Sequence, residues 1–293
     1  MLKDEISNGA NNFGGLSKEF TDYKNSKIVI LPVPFDKTST WLKGADKGPE
    51  AIIEASKNME LYDIETDSQV YKRGIFTEKE ITVENPEDMV SAVYEKTRRL
   101  LRDKKFVITL GGEHSVSVSP IKAHSEFFDN MSLLHLDAHS DTRDEYEGSR
   151  YNHACVMARA KETTDTIVSV GIRSMDVCEL DNIDKSNIFY ASEIFRTTEW
   201  INRVIKKLSE NVYITIDLDV FDPGIMPSTG TPEPGGLSWY QVTELLKKVA
   251  NSRNIVGADI AELRPSENKA PDFLAAKLIY KLLSYKFENR MVL

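Results

Sequence analysis

Three short stretches of this 293-residue chain place ionisable groups at the ends of apolar runs. "LLHLDAHSDTRDEY" (133–146) passes from aliphatic residues into Asp137, His139 and Asp141 at two-residue spacing. "NVYITIDLDVFDP" (211–223) delivers Asp217 and Asp219, and "KFVITLGGEHS" (105–115) delivers His114. Side chains two apart on a strand point to one side, so the spacing predicts carboxylates facing one another. Such neighbours repel, and each raises the other's pKa unless positive charge lies between them. A divalent cation resolves that conflict. The candidate ligands His114, Asp137, His139, Asp141, Asp217 and Asp219 include carboxylates able to bridge, enough for two cations about 3.5–4 Å apart that share a water. Lacking thiolates and rich in oxygen, the set favours Mn2+ over Zn2+.

Each piece alone has a plainer reading. An acid after a strand is commonly a turn residue, and Asp222, before Pro223, is read that way. Gly111 and Gly112 ahead of His114 suit a tight turn. Three strand ends carrying the same chemistry are not explained by turns.

Elements must hold these groups in place. "KIVILPV" (27–33), "KFVITL" (105–110), "MSLLHLD" (131–137), "TIVSVGI" (166–172), "NVYITIDLDV" (211–220) and "NIVGADIAEL" (254–263) read as strands apolar on both faces. Helices are expected over 85–105, with Asn85 capping and Pro86 in the first turn, over 238–252 behind Ser238, and over 270–287. Strands alternating with helices predict an α/β domain with a mainly parallel sheet. Ligands of such sheets bind beyond the carboxyl ends of strands. The last strand adds Asp259 and Glu262 there. No repeat, low-complexity stretch or long linker divides the chain, so one domain over 1–293 is expected, with polar residues 1–25 as an arm or lid.

With 37 Lys and Arg against 46 Asp and Glu, a formal charge of −9 disfavours nucleic acid or an anionic membrane as partner and suits a small cation. The basic run "KTRRLLRDKK" (96–105) is read as a solvated helix end that offsets the helix dipole. No apolar run approaches the roughly 18 residues of a membrane helix, no signal-peptide pattern opens the chain, and the only cysteines are Cys155 and Cys178. A cytoplasmic protein is expected, with Cys155 as a small buried hydrophobe.

Taken in order, "GGEHS", "DAHSD", "TIDLDVFDP", "GTPEPGG" and "DIAEL" resemble the ureohydrolase family, binuclear manganese enzymes that include arginase and agmatinase. The resemblance runs from "PVPFDKTSTWLKGADKGPEAI" (32–52) through the final helix. It implies a three-layer α/β/α fold around an eight-stranded parallel sheet, with two Mn2+ per subunit. It places His114, Asp137, Asp141 and Asp217 on one ion, and His139, Asp137, Asp217 and Asp219 on the other. Glu262 would orient a guanidinium by paired hydrogen bonds, with Thr231 of "GTPEPGG" also at the substrate. Asp141 would take the first proton, and His153 of "SRYNHACVMA" would shuttle protons, imidazole having an unperturbed pKa near 6.5. Ala154 stands where the family commonly has Gly. Family members form trimers or hexamers, so a homo-oligomer is implied.

The implied activity is hydrolysis of agmatine to putrescine and urea. An arginase or another guanidino-acid hydrolase, such as a guanidinobutyrase, is the alternative. "TRDEYEGSRY" (142–151), with Asp144, Glu145 and Glu147, should attract an ammonium and repel a carboxylate. "GIRSMD" (171–176) also resembles the agmatinase pattern; Arg143 and Arg150 would favour a carboxylate if turned inward. A metallophosphatase would need a "GNH" element and more than the 5 histidines present. A non-catalytic metal-binding protein would have no need of His153 and Glu262.

Overall fold

The computed structural model describes residues 11–288. Eight strands, all paired in parallel, form one sheet in the order β2-β1-β3-β8-β7-β4-β5-β6. They are β1 (Ile28–Val33), β2 (Ile75–Thr77), β3 (Phe106–Gly111), β4 (Met131–Leu136), β5 (Ile167–Val170), β6 (Ile188–Phe189), β7 (Asn211–Asp217) and β8 (Asn254–Ala261). The six strands read from the sequence are present. β2 and β6 were not foreseen, because three and two residues are too few to carry a periodic signal.

Strand alternation sorts the core into two faces. Ile28, Ile30, Ile108, Leu134 and Ile214 point one way, into a cluster with side chains of α1 (Gly48–Ser56), α6 (Glu199–Lys207), α7 (Trp239–Ser252) and α8 (Ala270–Glu288). Val29, Leu31 and Val107 point the other way, toward α2 (Pro86–Arg102). Leu133 and Tyr213 continue that second face under α3 (Val118–Phe127) and α4 (Val156–Ala160), while the four residues of α5 (Ala191–Ile194) follow β6. Both faces are therefore covered, which is why the strands are apolar throughout. This is the three-layer α/β/α arrangement.

Local signals agree with the observed ends. Asn85 Oδ1 accepts the Asp88 N–H at 2.9 Å with Pro86 opening α2, a cap worth about 0.5–2 kcal/mol. Ser238 and Gln241 form a reciprocal capping box at the start of α7. Of the expected arm, residues 1–10 lie outside the described range. Phe13 and Leu16 are buried, and the Phe13 and Gly14 N–H groups donate to Thr77 Oγ1 (2.9 Å) and Ser56 Oγ (2.7 Å). No described helix is long and apolar enough to cross a membrane.

Two expectations about local geometry need correction. β7 stops at Asp217 and Leu218–Val220 form a 3-10 turn, so Asp219 is not on the strand. Gly111 and Gly112 do not supply left-handed backbone, since neither has a positive φ. Gly112 is required by close approach: a Cβ there would meet the Phe35 carbonyl oxygen at 2.1 Å. That contact lets the end of β3 lie against the segment after β1 and sets where His114 begins. Gly112→Ala is expected to destabilise the protein by about 1–3 kcal/mol, as overpacking does. Urea denaturation checks this, and an unchanged midpoint would show that Phe35 yields freely.

Candidate active site

Four neighbouring strands, β3, β8, β7 and β4, open at their carboxyl ends onto one place. His114 follows β3, Glu262 follows β8, Asp217 ends β7 and Asp137 follows β4. The sheet's first and second halves meet there, and β7 and β8 fill the middle, so loops diverge and leave a crevice. His114, Asp137, Asp141, Asp217 and Asp219 are buried, and His139 is partly exposed.

The side chains converge through turns. Asp137 Oδ1 accepts the His139 N–H at 2.5 Å, and Asp217 Oδ1 accepts the Asp219 N–H at 2.9 Å. In both places an aspartate at a strand end caps the backbone two residues on, an Asx turn. The "DxH" and "DxD" spacings thus work through a repeated turn that brings residue i+2 back beside residue i. Asp141 and Glu262 adopt left-handed backbone, with φ of 50° and 68°. Strained positions of this kind cluster at functional sites.

Donor spacing fits small divalent cations. His114 Nδ1 stands 3.0 Å from Asp141 Oδ2, 3.2 Å from Asp137 Oδ2 and 3.6 Å from Asp217 Oδ2. His139 Nδ1 stands 2.9 Å from Asp219 Oδ2 and 3.6 Å from Asp137 Oδ1. Donors arranged octahedrally about 2.1 Å from one cation lie about 3 Å apart, so these gaps are those of ligands sharing a centre. Asp137 takes part on both sides, through a different oxygen each time.

Titration behaviour points to the same conclusion. Burial, then the charges of Asp219, Asp137 and Glu262, hold Asp217 well above the ordinary carboxylate range. Burial and the Asp137 charge push Asp141 up to about 6. Burial alone would lower His114 and His139, but their carboxylate neighbours outweigh it and raise both. Without cations, protons on the imidazoles balance the carboxylates. Divalent cations held by the same atoms would displace those protons.

A row of polar side chains lies beneath the ligands, in register across five strands: Thr109, Asp259, Thr215, His135 and Ser169. Of these only Asp259 was noted from the sequence, at the end of its strand, although His135 and Thr215 precede Asp137 and Asp217 by two and so share their side of the sheet. His135 Nε2 stands 2.8 Å from Asp137 Oδ2, with Nδ1 on Ser169 Oγ at 3.1 Å. Thr215 Oγ1 donates its single proton to Asp259 Oδ1 at 2.6 Å, so it can only accept from His114 Nε2, 2.9 Å away. The proton of His114 is thereby fixed on Nε2, and Nδ1 faces the carboxylates. Thr215→Val should weaken divalent-cation binding about 10–100-fold, the usual cost of losing a partner behind a ligand. Thr215→Ser should restore it. Calorimetric titration of metal-free protein checks both; wild-type affinity in the valine variant would show the row to be idle.

A cavity of about 180 Å3 opens above these groups, lined by His114, His139, Asp141, Asp217, Glu262, His153 and Thr231 among others. Glu262 Oε1 accepts the His114 N–H at 2.8 Å, and burial, then the Glu113 charge, raise its pKa. His153 Nδ1 is buried without a hydrogen-bond partner, and burial lowers the ring's pKa to about 4. Cys155 is fully buried beside the cavity residue Ala154.

The rim differs from expectation. Asp144, Glu145 and Glu147 do not line the cavity. Asp144 turns away to Arg159 and to Arg150 (3.2 Å), which also holds Glu162 at 2.9 Å. Arg150 is thus spent on surface acids. Arg143 does turn inward, but it sits over the Tyr146 ring at 4.3 Å and 3.5 Å from Asp176. The acids on the cavity's outer wall are Asp176 and Glu179, after "GIRSM". Glu179 is already occupied, accepting from Ser140, Thr142 and the Asp176 N–H. Arg173 of the same segment binds the carbonyls of Asp219 (2.6 Å) and Glu233 (2.8 Å), tying "GTPEPGG" to the ligand turn. Asp222 is the turn residue it was read to be, accepting N–H groups from Gly224, Gly235 and Gly236.

Comparisons with known proteins agree with this architecture. The model of the arginase family matches residues 26–284. N(1)-aminopropylagmatine ureohydrolase from Synechocystis sp. is 36% identical over 286 residues, 94% of each chain. Agmatinase from Pyrococcus horikoshii is 33% identical over 89% of this chain and 93% of its own. The crystal structure of agmatine ureohydrolase from Thermoplasma volcanium superposes with a TM-score of 0.85 at 31% identity, covering 92% of this chain and 94% of that one. With its sheet order, its strand-end ligands and these relatives, the chain belongs to the arginase (ureohydrolase) family of hydrolases.

Proposed function

We propose that this protein hydrolyses a linear guanidine carrying a distal amine, with agmatine as substrate and putrescine and urea as products. The observation that carries the reading is one cavity lined by His114, His139, Asp141 and Asp217 together with Glu262 and His153, whose buried Nδ1 has no hydrogen-bond partner, with Asp137 and Asp219 set against the two imidazoles. His114, Asp137, Asp141 and Asp217 would hold one Mn2+, and His139, Asp137, Asp217 and Asp219 the other. The oxygen-rich set suits Mn2+. When bound, the two cations supply a water ionised near neutral pH.

The protein's own groups do the rest. Glu262 keeps Oε2 open toward the cavity: a Cβ on Gly230 would stand 3.6 Å from it, and glycine leaves that space free. A guanidinium N–H pair fits against this carboxylate, which fixes the central carbon over the floor. As the water's oxygen bonds to that carbon, Asp141, on the cavity wall, takes its remaining proton. The proton passes to the substituted nitrogen, the carbon–nitrogen bond breaks, and urea and the amine separate. His153, neutral at pH 7 with a bare Nδ1, exchanges the amine's proton with solvent.

Substrate choice is made at the far end. Asp176 supports an amine over a carboxylate there, and Arg143 is engaged by Asp176 and Tyr146. A longer substrate, N1-aminopropylagmatine, is the second reading, favoured by the 36% identity to the Synechocystis enzyme named for it. Both readings require a cationic tail.

Urea release by manganese-loaded protein, measured against agmatine, N1-aminopropylagmatine, arginine and 4-guanidinobutyrate, tests the assignment. The amines should exceed both acids in kcat/KM; an acid that equals or exceeds them would overturn it. His153→Asn should retain metal while lowering turnover by roughly 10²–10⁴-fold. Full turnover across the pH range in that variant removes His153 from proton transfer. Asp217→Asn, which deletes a shared charge, should lower both metal content and activity, and intact metal content would rule out its bridging place.

A further inference from the structure

Residues 36–45 form a rim loop tied down everywhere but at its tip. Asp36 Oδ2 closes the base by accepting the N–H groups of Gly44 (2.6 Å) and Ala45 (3.0 Å). The fully buried Glu113, next to His114 in sequence, accepts the N–H groups of Thr38 (2.7 Å) and Ser39 (2.8 Å) and the Thr38 hydroxyl (2.6 Å). That hydroxyl in turn accepts the His153 N–H at 3.1 Å. On the far side, Arg264 Nε donates to the Lys43 carbonyl at 2.9 Å. The loop is therefore fixed relative to both the ligand His114 and His153.

Between these moorings Thr40, Trp41 and Leu42 line the cavity. The Leu42 carbonyl oxygen would lie 3.5 Å from a Cβ on Gly230, beside Glu262 Oε2, so Leu42 borders the guanidinium end of the crevice and the more exposed Trp41 before it stands at the mouth. Trp41 is nevertheless 67% exposed. Burial would offer a tryptophan more than this position does, so core packing does not explain it. The nearby cations that would repel an ammonium are occupied: Lys43 is 3.6 Å from Asp36, and Arg143 lies between Asp176 and Tyr146. What remains on the mouth is the exposed indole of Trp41, a group that receives a cation with an apolar stem.

We propose that Trp41 is a specificity-determining residue that receives the distal ammonium of the substrate, so that the site selects guanidines carrying a second cation. The inference rests on the amidinohydrolase reading above and adds the group that recognises the tail. Guanidine-end contacts belong to Glu262 and the floor; the tail's charge belongs to the rim. Glu113 acts as a positioning residue for the tip through Thr38 and Ser39.

The test compares ligands that differ only in the distal charge. For agmatine, Trp41→Ala should raise KM by about 3- to 30-fold with kcat nearly unchanged, the range a cation–aromatic contact supplies. Trp41→Phe should keep most of the wild-type KM, whereas Trp41→Leu should behave like alanine. The inhibition constant of n-butylguanidine, which has the four-carbon stem without the amine, should stay within about twofold in all three, since no cation is there to lose. Equal losses for agmatine and n-butylguanidine would make the tip a mere apolar cover, and an unchanged KM for agmatine in Trp41→Ala would make it idle; either overturns the proposal. Failure of manganese-loaded wild type to release urea from any guanidine would instead overturn the amidinohydrolase reading and this inference with it.

Discussion

Carboxylates buried side by side are the constraint from which the rest of the structure follows. Asp137, Asp141, Asp217 and Asp219 are all buried, within reach of His114 Nδ1, His139 Nδ1 and, for Asp137, His135 Nε2. Their mutual repulsion is expensive in a low-dielectric interior. The protein meets it partly with protons on His114 and His139 and partly with backbone N–H groups aimed at carboxylate oxygens. The remaining conflict is what suits the site to doubly charged ions. A stable apolar core beneath is needed to keep these groups from spreading apart.

The fold supplies that rigidity in layers. Parallel strands end in adjacent positions, so three strand ends deliver the candidate ligands, and a fourth Glu262, to one spot. Below them the in-register row from Thr109 to Ser169 gives His114 and Asp137 polar partners, Thr215 and His135, while staying within the sheet. Above them Glu113 couples the rim loop to the same strand end that carries His114. The floor and the rim loop are therefore joined by a few hydrogen bonds.

Much of this was legible in the sequence, for identifiable reasons. The long strands showed because both faces are buried, and Asn85 and Ser238 marked helix starts because capping is local. The candidate ligand residues could be picked out because their motifs lie at strand ends. What stayed hidden depends on pairing between distant segments. Strand register alone makes Asp259, Thr215 and His135 a row, although they are spread over three strands. The acids of 144–147 looked like a substrate rim, but Arg159 and Arg150 draw Asp144 outward. Nothing in the sequence singles out Trp41; only the moored loop places it at the cavity.

The central claim is that this carboxylate cluster exists to hold two divalent ions in place of protons. Isothermal titration of metal-free protein with Mn2+, repeated in buffers of different ionisation enthalpy, tests it directly. Two ions should bind per chain, and the heat should vary with buffer because His114 and His139 give up protons as the ions enter. Saturation at one ion per chain in protein that is then fully active, or heats independent of buffer, would contradict the account.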